Sequence, residues 1–240
     1  MSKGTLVIVQ LYPKNMNIYG DWGNTLTLKR RIEWHGYDVK LVAYNPGDTF
    51  PEEVDIIVGG GGQDSGQAAI GDDLRSIGPE LIRLADENIP MLMICGLYQL
   101  FGHFFKTREG VVIKGIGLLD IETVGGDERM IGNIITSSDE FGDIVGYENH
   151  SGKTTLGPLA QPLGTVRKGA GNNGQDALEG ARYKNVIGTY LHGSLLPKNP
   201  TVADWLIEQA ACRRFGSFSP SVIDDRFASE ARRIAINRPR

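Results

Sequence analysis

Cys95 closes the apolar run Met91-Leu92-Met93-Ile94 and is followed by Gly96 and the start of a helical pattern. A thiol held between a buried strand and a helix N-terminus meets the positive end of the helix dipole and unpaired backbone N–H groups, which favour its thiolate. Nucleophilic attack is the chemistry that placement suggests, and it calls for a base. His192, ending the strand-like run Gly188-Thr189-Tyr190-Leu191, is the candidate. Taken singly, a cysteine is often only a small apolar side chain, and a strand-end histidine only a packed residue. Two such residues, each ending a strand of one alternating sheet, point together to a cysteine–histidine pair.

The elements that must position them alternate. Residues 5–11 read as a buried strand and residues 24–34 as a helix stopped by Gly36. Strands follow over 39–43 and 54–58, then a helix over 80–87 behind Gly78-Pro79, and Pro90 introduces the strand that carries Cys95. This pattern predicts an α/β fold with a mostly parallel central sheet flanked by helices. Ligands bind such sheets at the carboxyl ends of the strands, where Cys95 and the run Gly59-Gly60-Gly61-Gly62 both lie. From Ile113 to about Tyr190 the segments are short, β-rich and punctuated by Gly and Asn, which predicts antiparallel strands added to the core in the C-terminal half. A helix over 200–214 closes a first domain, residues 1–215. Residues 216–240 are expected to be a helical tail, with a hinge at 217–220 and an amphipathic helix over 224–236.

With 240 residues, 40% of them hydrophobic, the chain can bury a full core. A net charge of −4 gives no general attraction to nucleic acid. No apolar stretch reaches the length of a membrane helix, and Met1-Ser2-Lys3-Gly4 leads straight into a strand. Two cysteines, Cys95 and Cys212, are too few for a disulfide framework and predict a cytoplasmic chain. Cys212, within a helical stretch, reads as structural. Gln63-Asp64-Ser65 after the four glycines lacks the Gly-Lys-Ser/Thr of a phosphate loop, so oxyanion-binding N–H groups are the better reading there. Gly152-Lys153-Thr154 fails as well, because Tyr147 stands where the loop's first glycine is required and Pro158 follows. His35, His103, His150 and His192 are scattered without metal-ligand spacing, so no metal is expected. His103 falls in a helical run and reads as a packing residue. Arg232, Arg233, Arg238 and Arg240 read as a solvated or partner-facing helix end.

Ile94-Cys95-Gly96-Leu97-Tyr98-Gln99, Gly146-Tyr147-Glu148-Asn149-His150-Ser151-Gly152-Lys153-Thr154 and Tyr190-Leu191-His192-Gly193 together resemble the cobyric-acid-synthase-like branch of class I glutamine amidotransferases. Within that branch, residues 19–24, 59–64, 127–133 and 169–174 are similar to the glutaminase subunits of lipid II isoglutaminyl synthases. The resemblance spans about residues 5–214. It implies a flavodoxin-like amidotransferase fold in which Cys95 attacks the carboxamide of L-glutamine, forms a thioester and releases ammonia, with His192 as base. Backbone N–H groups of Gly96 and of Gly60 or Gly61 would form the oxyanion hole, and Arg129 and Gln99 would contact the substrate. It further implies a heterodimer with a MurT-like ATP-dependent Mur ligase subunit. That partner would use the ammonia to amidate the D-glutamate of lipid II, reached at the inner face of the membrane through the complex. Neither a nucleotide site nor a cofactor is expected in this chain. The alternatives are a glutaminase subunit of another amide-forming synthetase, a cysteine hydrolase of another substrate on the same scaffold, or a non-catalytic subunit on the same fold.

Two positions depart from the wider pattern. Most class I amidotransferases carry a glutamate two residues after the histidine, and here that residue is Ser194. The resemblance implies that a partner aspartate orients the imidazole and that the isolated chain is a poor glutaminase. Met93 and Leu97 occupy elbow positions that are often glycine, which predicts altered packing at the strand–helix junction.

Overall fold

The computed structural model describes residues 2–238. The chain runs β1 (Thr5–Leu11), α1 (Trp22–Trp34), β2 (Asp38–Tyr44), β3 (Ile56–Gly59), α2 (Asp64–Asp86), β4 (Met91–Ile94) and α3 (Gly96–Phe101). There follow β5 (Phe104–Lys106), β6 (Val112–Lys114), β7 (Ile121–Ser138), β8 (Gly142–Leu156), β9 (Gly164–Lys168), β10 (Leu178–Glu179), β11 (Ala181–Tyr183), β12 (Val186–Thr189), α4 (Pro200–Phe215) and α5 (Arg226–Asn237).

The first sheet has the order β11-β12-β4-β3-β1-β2, parallel throughout except for the edge strand β11. Strands β3, β4 and β12 are buried at every position, the continuous apolar run expected of strands covered on both faces. Strand β12 returns late in the chain to pair with β4, with Thr189 opposite Ile94. That register sets the ends of the two strands side by side. Only glycine fits at Gly188, because a Cβ there would stand 2.2 Å from the Tyr98 ring.

The β-rich second half supplies the added, mostly antiparallel strands expected there. Apart from β11 and β12, it forms a separate sheet, β10-β9-β7-β5-β6, with β8 paired to β7. Its backbone is the long hairpin of β7 and β8, 18 and 15 residues. A register shift between Gly125 and Met130 interrupts their pairing, and Arg129 projects from this bulge.

Helix α2 is 23 residues long and contains Pro79, whereas local sequence predicted only 80–87 behind a Gly-Pro break. Gln67, Ile70, Gly71, Leu74, Gly78, Leu81 and Leu84 form one buried stripe along it, and burying that face outweighs the one N–H that Pro79 lacks. Helix α3, by contrast, ends at Phe101, so His103 is not helical and instead pairs with Asp120 at 2.8 Å, its side chain exposed. Cys212 is exposed on α4 rather than packed inside.

Gly216, in the left-handed conformation at φ 81°, ends α4. The segment beyond it is tied back to the body: Lys3 Nζ donates to Ser219 O at 2.8 Å, and the buried Arg31 pairs with both Asp204 of α4 and Asp225. Helix α5 begins at Arg226, and Arg232 bonds the Asn199 side chain at 3.1 Å. Arg240 lies outside the described residues. No helix among the described residues is long and apolar enough to cross a membrane.

Candidate active site

Cys95 sits between β4 and α3 at φ 48°, ψ −100°, a strained conformation for a residue with a Cβ. Its N–H donates to Thr189 O at 2.8 Å, so β12 pins the elbow directly. The bulk of Met93 and Leu97 is accommodated by Gly59, where a Cβ would stand 2.3 Å from Leu97 Cδ1 and 2.9 Å from Met93 Sδ. The elbow keeps its shape because the neighbouring strand, rather than the elbow itself, supplies the glycine.

His192 is fully buried and held by reciprocal backbone bonds with Tyr147 of β8. Its Nε2 has no nitrogen or oxygen partner among the described residues and lies beside Cys95. Gly61 separates neither: a Cβ on it would be 2.7 Å from His192 Cε1 and 3.1 Å from Cys95 Cβ. Burial works against the charged imidazolium, but the Cys95 thiolate and the Asp21 carboxylate outweigh it and push the His192 pKa up to about 10.

The expected gap at the third position is filled from within the chain. Asp21, buried just ahead of α1, places Oδ1 3.3 Å from His192 Nδ1, and its Oδ2 accepts the Gly61 N–H at 2.7 Å. Ser194, standing where a glutamate was missing, donates its hydroxyl to Gly20 O at 2.7 Å and so braces the loop that delivers Asp21. Within the chain itself, Cys95, His192 and Asp21 thus lie in sequence around the imidazole.

That arrangement corrects the oxyanion assignment. The Gly61 N–H is spent on Asp21 and its carbonyl accepts from Ile18 N, while Gly60 lies behind, against Met16 O and Asp21. The glycine of the run that lies against the elbow is Gly62, whose nitrogen is 3.0 Å from where a Cβ on Gly96 would stand.

A cleft of about 410 Å³ opens over Cys95, lined among others by Tyr19, Gly62, Gln99, Arg129, Asn149 and His150. Arg129 donates from Nε to Asn149 Oδ1 at 2.6 Å and from Nη2 to the Tyr19 hydroxyl at 3.3 Å, and its Nη1 makes no hydrogen bond among the described residues. The Gln99 side chain is anchored at both ends, its Oε1 accepting from Gln67 at 2.8 Å and its Nε2 donating to the Tyr190 hydroxyl at 3.0 Å. His150 stacks on Tyr190 at 3.5 Å with Nδ1 against Gly152 O at 2.8 Å, and burial drives its pKa down to about 3, so it is neutral. The structure thus brings together Cys95, His192, Gly96, Gln99 and Arg129. Sequence reasoning missed Asp21, Gly62, Tyr19 and Asn149. Asp21 and Tyr19 stood in a segment matched only by resemblance, with no spacing signal of their own.

The chain matches the model of the CobB/CobQ-like glutamine amidotransferase domain over residues 7–200. It is 39% identical over 237 residues to the lipid II isoglutaminyl synthase (glutamine-hydrolyzing) subunit GatD of Staphylococcus aureus, covering 97% of this chain and 96% of that one. This chain belongs to the CobB/CobQ-like glutamine amidotransferase family. The GatD subunit of Streptococcus pneumoniae is 37% identical over 214 residues, 88% of this chain and 82% of its own length. The Staphylococcus aureus alignment reaches past Phe215, so the likeness extends into the tail, beyond what the motifs alone covered. Among solved structures, a glutamine amidotransferase superposes with a TM-score of 0.60 at 16% identity over 85% of this chain and 98% of that one. A second, from Thermotoga maritima, gives 0.57 at 15% identity over 96% and 93%. These two show the fold, an α/β amidotransferase. In this family member the segment that matches the domain contains Asp21, Cys95, Arg129 and His192 together.

Proposed function

We propose that the chain hydrolyses L-glutamine to glutamate and ammonia, and that the ammonia passes to a MurT-like, ATP-dependent Mur ligase subunit. That subunit would amidate the D-glutamate of lipid II to D-isoglutamine. The observation that carries the reading is the strained Cys95 elbow facing a buried His192 whose far nitrogen meets Asp21. Likeness to two GatD subunits supports the acceptor and the two-subunit arrangement.

Cys95 attacks the carboxamide carbon as the thiolate while His192 carries the proton. The carbonyl oxygen becomes an oxyanion held by the N–H groups of Gly96 and Gly62, donors of a kind worth about 3 kcal/mol of barrier each. Collapse of the tetrahedral intermediate transfers the His192 proton to the departing nitrogen, so ammonia leaves and a thioester remains. Water then attacks the thioester, giving up a proton to His192, and glutamate is released with the thiolate restored. Asp21 fixes the imidazole with Nδ1–H toward itself and Nε2 toward sulfur throughout. Arg129 binds the α-carboxylate through its open Nη1 edge, a fork suited to that group. Gln99 contacts the substrate's side chain from the cleft wall.

The test is ammonia release from L-glutamine by the full chain, alone and co-expressed with a Mur-ligase-like ATPase. Glutamine hydrolysis lost in Cys95→Ala, and ATP-dependent amidation of lipid II by the complex, is the expected pair of results. Hydrolysis in neither preparation refutes the glutaminase reading. Hydrolysis without lipid II amidation leaves the chain serving a different synthetase.

A further inference from the structure

Tyr19 has φ 57°, ψ 21° inside the short turn Ile18–Gly20, a left-handed conformation that a bulky side chain adopts only when its surroundings impose it. The turn is pinned on both sides. Ile18 N donates to Gly61 O at 3.1 Å, and Gly20 O accepts the Ser194 hydroxyl at 2.7 Å. Asp21, next but one in the chain, is engaged by His192 and Gly61.

The strained turn throws the Tyr19 side chain over the cleft instead of into the core, leaving it 43% exposed. There it makes two contacts. Its ring lies edge-on to the His192 imidazole, centroids 5.1 Å apart at 82°. Its hydroxyl accepts from Arg129 Nη2 at 3.3 Å. With Arg129 Nε on Asn149, that hydroxyl fixes the guanidinium plane and leaves Nη1 without a hydrogen-bond partner among the described residues.

We propose that Tyr19 is a positioning residue for glutamine: its ring abuts the base and its hydroxyl anchors the guanidinium, so one side chain sets the distance between the reacting centre and the carboxylate site. A flexible arginine projecting from a bulge would otherwise sample many rotamers, and each lost one weakens the ligand's grip. The inference rests on the reading of Arg129 as the α-carboxylate site.

The experiment measures the Kd of L-glutamine by calorimetry in the full chain carrying Cys95→Ala, so that bound substrate is not turned over. Four forms are compared: Cys95→Ala alone, with Tyr19→Phe, with Arg129→Ala, and with both. Tyr19→Phe removes one hydroxyl and keeps the ring, and is expected to raise Kd about fivefold, the loss of one hydrogen bond of ordinary net strength. In the Arg129→Ala background the same change is expected to alter Kd less than about twofold, since the anchored group is gone. An equal factor in both backgrounds, or no effect in either, overturns the role of Tyr19 while leaving the carboxylate site intact. If Arg129→Ala itself leaves Kd unchanged, or Cys95→Ala binds no glutamine, the reading of Arg129 and this inference both fall.

Discussion

Asp21 reaches His192 across 171 residues of sequence, Oδ1 to Nδ1 at 3.3 Å, with the other carboxylate oxygen on the Gly61 N–H. One buried carboxylate therefore bridges His192 and the Gly61 loop that walls Cys95, and we expect it to orient the imidazole in the single chain.

Replacing Asp21 by Asn tests that directly. Asn can still accept the Gly61 N–H through its oxygen, but it presents an NH2 to His192 Nδ1 and so favours the wrong tautomer. Glutaminase kcat is expected to fall by about 10²-fold or more, by analogy with the acid of other triads. The decisive measurement is kcat of the purified chain without a partner; a change of less than threefold would return the orienting role to another protein.

Gly61→Ala places a methyl 2.7 Å from His192 Cε1 and 3.1 Å from Cys95 Cβ. Nucleophile and base must separate to admit it, and a displacement near 1 Å costs about 10²-fold in rate. We expect kcat to drop by that order and alkylation of Cys95 by a glutamine-mimicking electrophile to slow in parallel, with the circular dichroism spectrum unchanged.

His150 contributes a pH dependence with a definite sign. Its pKa is lowered from the ordinary 6.5 to about 3, mainly because burial on Tyr190 disfavours the charged ring. Below 6.5 the unfolded chain binds a proton that the folded chain refuses. This contribution is therefore complete above pH 6.5 and is lost progressively as pH falls toward 3. His150→Phe keeps the ring on Tyr190 and removes the proton site. Urea midpoints between pH 4 and 8 should fall more steeply on acidification in the wild type than in the variant; parallel curves would contradict the assignment.

Arg31 joins α1 to α4 and the tail through Asp204, at 2.6 Å from two nitrogens, and through Asp225 at 2.6 Å. Arg31→Met leaves two carboxylates without their cation. Since each aspartate is about a third exposed, we expect a loss near 3 kcal/mol, the low end for breaking a buried pair. Limited proteolysis should then cut near 217–225 before the rest of the chain; an unchanged cleavage pattern would show that other contacts hold the tail.

Much of this protein was legible in its residues, and what was legible was local. Alternating apolar runs announced a parallel sheet because strands covered on both faces are apolar throughout, as in β3 and β4. The run ending in Cys95-Gly96 marked Cys95 as a candidate nucleophile because a strand-to-helix elbow leaves a periodicity break that can be read in one segment. His192 followed, since it too ends a strand. Pro79 misled because a helix breaker acts locally while the buried stripe of α2 acts over its whole length.

What the sequence by itself determined, then, was the class of fold and the candidate pair Cys95 and His192. Only the tertiary structure decided which carboxylate reaches His192 and which glycine N–H it holds. Asp21 and Ser194 carry no mark of their roles, because each acts on a group far away in the chain: Asp21 on His192, Ser194 on Gly20. Gly61 and Gly62 are identical in type and adjacent, yet the Gly61 N–H is bonded to Asp21 while the Gly62 nitrogen lies against Gly96. Direction in space is set by packing between β3, β4 and the loop before α1, and no local pattern encodes it.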